Sequence, residues 1–350
     1  MVVSYLRSSL YGPYNLCQHK AFLSYVLGFE EDTGKSAAMG SVFHKTLEHI
    51  AKAKKKYQET GENGGWDIGD EYIGEFIPDN IFDNSIISPL TTLSFEYYKS
   101  ITPKLKWSSS DLVTIIGWVR NSLNDNMGMH DPRNKYIIEP EKYLDIEIKE
   151  DWAKYDYQIG DKHIAGNLAL KGTIDLVSKI DEDHYEILDY KSGKYRTDFA
   201  TGEEKDYKKL QSDPQLLMYY YACRHIFPDI KYFDFTIYFV NAGGPFTLCY
   251  DDSSFAEAEE LIKNRFLEMK ANQNPELLSP TRVMREKKDY RCYNCCSFQK
   301  YKWKDSGLSI CEYFQSEIKD KGLDAVTAEH CDWNKFGAYG DGGGRSDKKE

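Results

Sequence analysis

The stretch "GTIDLVSKIDEDHYEILDYKSGKY", residues 172–195, reads as two runs of strand-forming residues around the turn "DEDH", with charges set inside both runs. Asp175 follows Ile174 and precedes Leu176 and Val177, while Asp189 lies between Leu188 and Tyr190 with Lys191 two positions on. A charge inside an apolar strand is costly unless it is paired or bound to a metal. Alternation puts Ile187, Asp189 and Lys191 on one face, with Glu186 and Tyr190 on the other. A tight hairpin would bring Asp175 beside Asp189. Two converging carboxylates make a hard-oxygen site suited to a divalent ion such as magnesium, and a neighbouring lysine can orient or deprotonate water or steady negative charge on phosphorus. The same residues also make an ordinary surface hairpin with a Lys-Asp pair, so the surrounding chain must decide.

Upstream, "GSVFHKTLEHIAKAKKKY" has Val42, Phe43, Thr46, Leu47 and Ile50 at helical spacing, which places His44 on a helix. "SPLTTLSFEYYKSI" and "SDLVTIIGWVRNSLND" read as helices between polar loops. "KYLDIEIKEDW" alternates as a strand, and its Glu139 and Glu147 neighbourhood supplies further acids near the hairpin. Downstream, "SDPQLLMYYYACRHIF" is a helix and "KYFDFTIYFVNAGGPFTLCYDD" a second hairpin. "SFAEAEELIKNRFLEMKAN" is an amphipathic helix capped by Ser253 or Ser254. The expected division is 1–50, an N-terminal segment with the His44 helix; 51–135, a helical insertion; 136–275, the core; 276–335, a cysteine-rich region; and 336–350, a disordered tail.

The 350 residues are 41% hydrophobic and 14% aromatic, enough for a sizeable core, and the net charge of -11 argues against a surface that is basic all over. A local basic channel remains compatible with that charge. No apolar run reaches about 18 residues, and the first residues lack a secretory pattern, so an intracellular protein is expected.

Gly172-x-x-Asp175, Asp189-x-Lys191-x-Gly193 and Gln215-x-x-x-Tyr219 resemble, in order, the motifs of the PD-(D/E)XK nuclease superfamily. "GSVFHKTLEH" is similar to the upstream Gly-x-x-x-His-x-x-Leu-Glu motif of its RecB-type branch, which includes the CRISPR-adaptation exonucleases and the AddB nuclease. The resemblance spans about residues 10–315. It implies an α/β fold with a restriction-endonuclease-like core, a central mixed sheet flanked by helices, carrying the helical insertion and a C-terminal cysteine-rich metal-binding region. It also implies that Asp175, Asp189 and His44 bind Mg2+ or Mn2+, that Lys191 positions or activates water, and that Gln215 and Tyr219 support the site. Glu48 reads as structural.

Of eight cysteines, Cys292, Cys295, Cys296, Cys311 and Cys331 fall within forty residues, a clustering that suggests metal rather than a disulfide framework. The resemblance implies a [4Fe-4S] cluster on Cys17, Cys292, Cys295 and Cys311, with Cys296 as an alternate ligand. Fifteen residues between Cys295 and Cys311 depart from the family's short last spacing. A structural Zn2+ on Cys292, Cys295, Cys311 and either His330 or Cys331 is therefore the alternative. Cys223 and Cys249 read as core residues.

Arg282, Arg285, Lys287, Lys288, Arg291, Lys300 and Lys302 are interleaved with Tyr290, Tyr293, Phe298, Tyr301 and Trp303, a pattern suited to the phosphates and unpaired bases of DNA. Lys52 to Lys56, "KAKKK", could add a second wall. The expectation is a metal-dependent DNA exonuclease of recombination, repair or processing, acting on single strands or ends. Two alternatives are a non-catalytic DNA-binding scaffold of the same fold and a subunit active only with a helicase or recombination partner. The chain has no Gly-x-x-x-x-Gly-Lys-Ser/Thr loop, so unwinding would come from that partner.

Overall fold

The computed structural model describes residues 1–124, 128–193, 204–275 and 296–333. Among these, the strands are β1 Tyr5–Arg7, β2 Tyr136–Glu147, β3 Lys154–Ile159, β4 Lys162–Asn167, β5 Ala169–Asp181, β6 His184–Lys191, β7 Tyr232–Phe239 and β8 Gly244–Tyr250. The helices are α1 Ser8–Leu16, α2 Gln18–Ala21, α3 Lys35–Thr60, α4 Ile87–Ile101, α5 Ser109–Asn124, α6 Tyr207–Gln211, α7 Pro214–Ile226, α8 Asp252–Ala271, α9 Ser297–Lys300, α10 Ile310–Lys321 and α11 Leu323–His330.

Strand β5 organises the sheet. Antiparallel β2 lines one edge of it, from Ala169 to Lys179. The other edge is shared: β1 runs parallel to residues 169–171 and β6 antiparallel to residues 176–181. Residues 172–175 lie between these two partners and face neither. Beyond β6, β7 is parallel and β8 antiparallel, so the sheet is mixed. Alternation along β6 and β7 separates the two faces. Val177, Ile187, Phe233, Phe235 and Ile237 pack with Tyr220 of α7 and Phe266 of α8, whereas Leu176, Leu188, Tyr190 and Tyr238 pack with Val42, Phe43 and Leu47 of α3. Helices thus cover both faces, as the resemblance implied.

Helix α3 starts at Lys35, five residues before Gly40, and ends at Gly61, whose φ of 75° is the left-handed conformation that glycine tolerates at a helix C-terminus. It runs through residue 50, so the expected division between 50 and 51 falls inside one element. Gln58 clamps it to β2, accepting from the Ile137 amide at 2.7 Å and donating to its carbonyl at 3.0 Å. The cap of α8 is Asp251, which accepts from the Ser253 amide at 2.9 Å, rather than Ser253 or Ser254. A carboxylate one residue upstream reaches the orphan amides better than a hydroxyl already within the first turn. The β3–β4 hairpin and helices α10 and α11 were not anticipated. Among the described residues, no helix is long and apolar enough to cross a membrane. Residues 276–295 and 334–335 of the expected cysteine-rich region 276–335, and the whole expected tail 336–350, lie outside the described residues.

Candidate active site

The site forms where one edge of β5, between β1 and β6, has no partner strand. Asp175 stands one residue before the first β5–β6 pair, Leu176 with Leu188. Its Oδ2 accepts the Tyr190 amide at 2.8 Å, taking an N–H that would otherwise continue the ladder. His44 of α3 comes from the opposite helix layer, with Nδ1 3.2 Å from Asp175 Oδ2. Asp189 is 4% exposed and meets the Lys191 ammonium, Nζ lying 2.6 Å from its Oδ2. The end of β6 is held by the Val240 amide on the Lys191 carbonyl at 3.1 Å and by Asn241 Nδ2 on the Ser192 carbonyl at 2.9 Å.

Helix α7 closes the other side. Asp213 caps it by accepting the Gln215 amide at 2.9 Å, and Pro214 occupies the first turn, where its missing N–H costs nothing. Gln215 is thereby set in the first turn. Its Nε2 donates to Asp189 Oδ1 at 3.0 Å and to Tyr219 Oη at 3.0 Å, and its Oε1 accepts from Lys191 Nζ at 3.2 Å. Tyr219, one turn on, donates to the Thr173 carbonyl at 2.6 Å, inside the unpaired edge of β5. A Cβ on Gly172 would sit 3.4 Å from the Tyr219 ring, at the near limit of van der Waals contact.

The electrostatics follow from this packing. Burial opposes ionisation of Asp175, but His44, Lys191 and the Tyr190 amide outweigh it and lower its pKa. Asp189 is raised, because burial and the Asp175 charge prevail over Lys191. Burial alone would discharge Lys191 and His44; the two carboxylates reverse this, so both pKa values lie above their ordinary ones. Burial and the Asp189 charge keep the Tyr219 hydroxyl protonated.

His44, Asp175, Asp189, Lys191, Gln215 and Tyr219 all line one cavity of about 630 Å³. The sequence reading missed other parts of its wall: Arg7 at the end of β1, Ser8 at the start of α1, Lys45, Tyr143 of β2, and Tyr72, Tyr97 and Tyr98 from the insertion. Tyr97 sits edge-on between Tyr72 and Tyr98, with ring centroids 5.7 and 5.1 Å away. The donor set fits a divalent ion, since the carboxylates of Asp175 and Asp189 supply hard oxygen and His44 an imidazole on one cavity.

Several expected residues lie elsewhere. Glu139 pairs with Lys55 at 3.4 Å and Glu147 accepts from Asn167 at 2.6 Å, neither on the cavity. Glu48, by contrast, is buried between Lys45 and Lys52 and does line the cavity. The Lys52–Lys56 run forms no second cavity wall: Lys54 and Lys56 lie over the Tyr57 and Trp66 rings. Lys300 and Lys302 are exposed and do not line the cavity. Phe298 is buried and Trp303 packs on Phe29 and Phe314, so these two are core rather than stacking platforms. Arg282, Arg285, Lys287, Lys288, Arg291, Tyr290 and Tyr293 lie outside the described residues.

Of the cluster cysteines, Cys292 and Cys295 also lie outside the described residues. The described pair comes from neighbouring segments: His19 Nε2, two residues from Cys17, is 3.2 Å from the Cys311 carbonyl. Cys17 Sγ accepts the Lys20 amide at 3.3 Å, and Cys311 Sγ accepts Gln315 Nε2 at 3.0 Å. Cys331 donates to the Val26 carbonyl at 3.2 Å, and burial pushes its thiol up to about 12, which suits a protonated core residue. Among the described residues, the sets of three or more metal-ligating atoms within 4.8 Å include neither Cys17 nor Cys311. Cys223 is core, but Cys249 is exposed. The alternation of β8 turns Cys249 away from Leu248 and Tyr250, the pair that meets the core.

No curated protein matches the chain. A solved structure from Eubacterium rectale, named "Putative exonuclease", is similar at a TM-score of 0.42 and 10% identity, covering 81% of this chain and 88% of that one, too distant to carry an argument. The family model of the PD-(D/E)XK nuclease superfamily matches residues 9–300, a span that holds His44, Asp175, Asp189, Lys191, Gln215 and Tyr219. The chain belongs to the PD-(D/E)XK nuclease superfamily.

Proposed function

We propose that this chain is a metal-dependent deoxyribonuclease that hydrolyses phosphodiester bonds at the β5 gap, as an exonuclease on single strands or DNA ends. The observation that carries the reading is the convergence of His44, Asp175, Asp189 and Lys191, from α3, β5 and β6, on one cavity. His44, Asp175 and Asp189 would hold Mg2+ or Mn2+. Such an ion supplies Lewis-acid polarisation of a phosphoryl oxygen and a more acidic bound water. Lys191 presents an ammonium to the reacting phosphate and holds water in line by hydrogen bonding. Gln215 keeps Asp189 and Lys191 oriented, and Tyr219 keeps Gln215 in place. Hydrolysis joins a water oxygen to phosphorus as the bond to the leaving sugar oxygen breaks, and that oxygen takes up a proton.

The preference for single strands is supported by the half-buried row Tyr72, Tyr97 and Tyr98 beside the acids, because aromatic faces stack on unpaired bases. A role in recombination or repair, and work beside a helicase, rest on the resemblance. So does the iron-sulfur cluster on Cys17, Cys292, Cys295 and Cys311. The hydrogen bonds received by Cys17 and Cys311 suit thiolate sulfur. A brown colour and stoichiometric iron in protein prepared without air would decide between iron and zinc.

The decisive assay offers labelled single- and double-stranded DNA with magnesium or manganese to the wild type, Asp189→Asn and Lys191→Ala. Cleavage should be metal-dependent, and each substitution should reduce it by about 10³-fold or more. Cleavage that survives both substitutions sinks the reading.

A further inference from the structure

A second donor set lies on strands β6, β7 and β8, away from the cavity. His184 opens β6, five residues before Asp189, which is roughly 17 Å along a strand. It shares a face with Glu186 and Tyr190, opposite to that of Asp189. On the same side, Asp234 of β7 and Cys249 of β8 are directly opposed in register. One donor atom each from His184, Asp234 and Cys249 lies within 4.8 Å of the others. His184 Nε2 is 3.3 Å from Asp234 Oδ1, yet this buried nitrogen makes no hydrogen bond among the described residues.

The chemistry of the set selects the ion. Nitrogen, carboxylate oxygen and sulfur together suit a borderline-soft transition metal, whereas magnesium prefers oxygen alone. Zinc bond lengths of about 2.0–2.3 Å in tetrahedral geometry put neighbouring donors roughly 3.3–3.8 Å apart, close to the His184–Asp234 separation. Glu186 does not compete, since Lys135, Ser178 and Thr236 already hold its carboxylate. The exposed Cys249 gives an ion its way in.

We propose that His184, Asp234 and Cys249 form a three-ligand site for a zinc-class ion, with the fourth position open to water and separate from the nuclease centre. The three strands would be clipped together at the end remote from catalysis.

The test reads Cys249 itself. The full-length protein is alkylated with iodoacetamide, with and without Zn2+, and the Cys249 peptide is followed by mass spectrometry. Zn2+ should slow its modification by about tenfold or more and EDTA should restore it, while Mg2+ has no effect. Protection should vanish in Asp234→Asn and in His184→Ala, and the milder Asp234→Asn keeps the test valid if the alanine variant fails to fold. Mg2+-dependent DNA cleavage should be unchanged in Asp234→Asn. An alkylation rate indifferent to Zn2+, or protection equal to wild type in Asp234→Asn, overturns the site. Neither outcome depends on whether the nuclease reading holds.

Discussion

Gln215 Nε2 lies 3.0 Å from Asp189 Oδ1, and through this one bond the first turn of α7 sets a carboxylate two residues from the end of β6. The same amide accepts Lys191 through its oxygen, so acid and base are held by opposite ends of one planar group. Gln215→Leu should therefore lower cleavage by about 10- to 100-fold, the usual cost of removing a group that orients metal ligands. Gln215→Glu should do no better, because a carboxylate cannot donate to Asp189. Single-turnover rates over a range of Mg2+ concentrations measure both effects.

Tyr97 and Tyr98 predict a strand preference. If they stack on unpaired bases, each alanine replacement should weaken single-strand binding by about 1–3 kcal/mol, or roughly 5- to 150-fold, with duplex affinity little changed. Fluorescence anisotropy with labelled oligothymidine and a matched duplex, in a Lys191→Ala background that prevents cleavage, makes the comparison. Equal losses on both substrates would assign the tyrosines to the fold.

Asp70 ties the insertion to α3. Its Oδ2 meets Lys45 Nζ at 2.7 Å and its Oδ1 accepts the Tyr72 and Ile73 amides at 3.0 Å. Partial burial works to raise its pKa, but Lys45 and the Ile73 amide prevail and lower it from 3.8 to about 2. A carboxylate depressed on folding contributes stability above its unfolded pKa and loses it as pH falls towards the folded one. That shift corresponds to ~2 kcal/mol, and solvent screening leaves on the order of 1 kcal/mol. Asp70→Asn should cost about that much at pH 7 and flatten the stability curve between roughly pH 4 and pH 2. Urea midpoints at several pH values test it.

Tyr190 probes the far face of the same strand. Its hydroxyl donates to the His130 carbonyl at 2.6 Å and its ring packs against Phe43 and Tyr238. Tyr190→Phe keeps the ring and the backbone amide that serves Asp175, but strands a buried carbonyl. It should lower stability by about 1–3 kcal/mol and leave turnover per folded molecule unchanged. Thermal denaturation beside an activity titration separates the two.

Local rules made much of the site readable. Asp189 and Lys191 share a face by strand alternation, Gln215 and Tyr219 share one by helical spacing, and the hairpin brings Asp175 near. His44 needed the motif, since nothing local says that α3 packs beside the middle of β5. The tyrosines of the cavity wall were hidden for a related reason: Tyr72, Tyr97 and Tyr98 reach the acids only because α3 and α4 pack together. Composition misled at Phe298 and Trp303, where aromatics among lysines suggested a nucleic-acid surface. Helix α9 is four residues long, too short for a period to show which side is buried. The β3–β4 hairpin escaped notice because, although Tyr155, Tyr157 and Ile159 alternate along β3, the β4 run KHIAGN has Ile164 as its one large apolar residue and shows no matching alternation.

The division of one β5 edge between β1 and β6 also sorts the chain by where its length is free to vary. An extra residue in the Glu182–Asp183 turn would bulge outward and leave both acids in place. The same residue added within 172–175 would have to be absorbed between two ladders of set register, and every side chain on one flank of it would change sides. The distance from Asp175 to its neighbours is thus a counting property of the backbone. Loops may lengthen around the nuclease centre, but the interval from Lys171 to Leu176 behaves as a ruler.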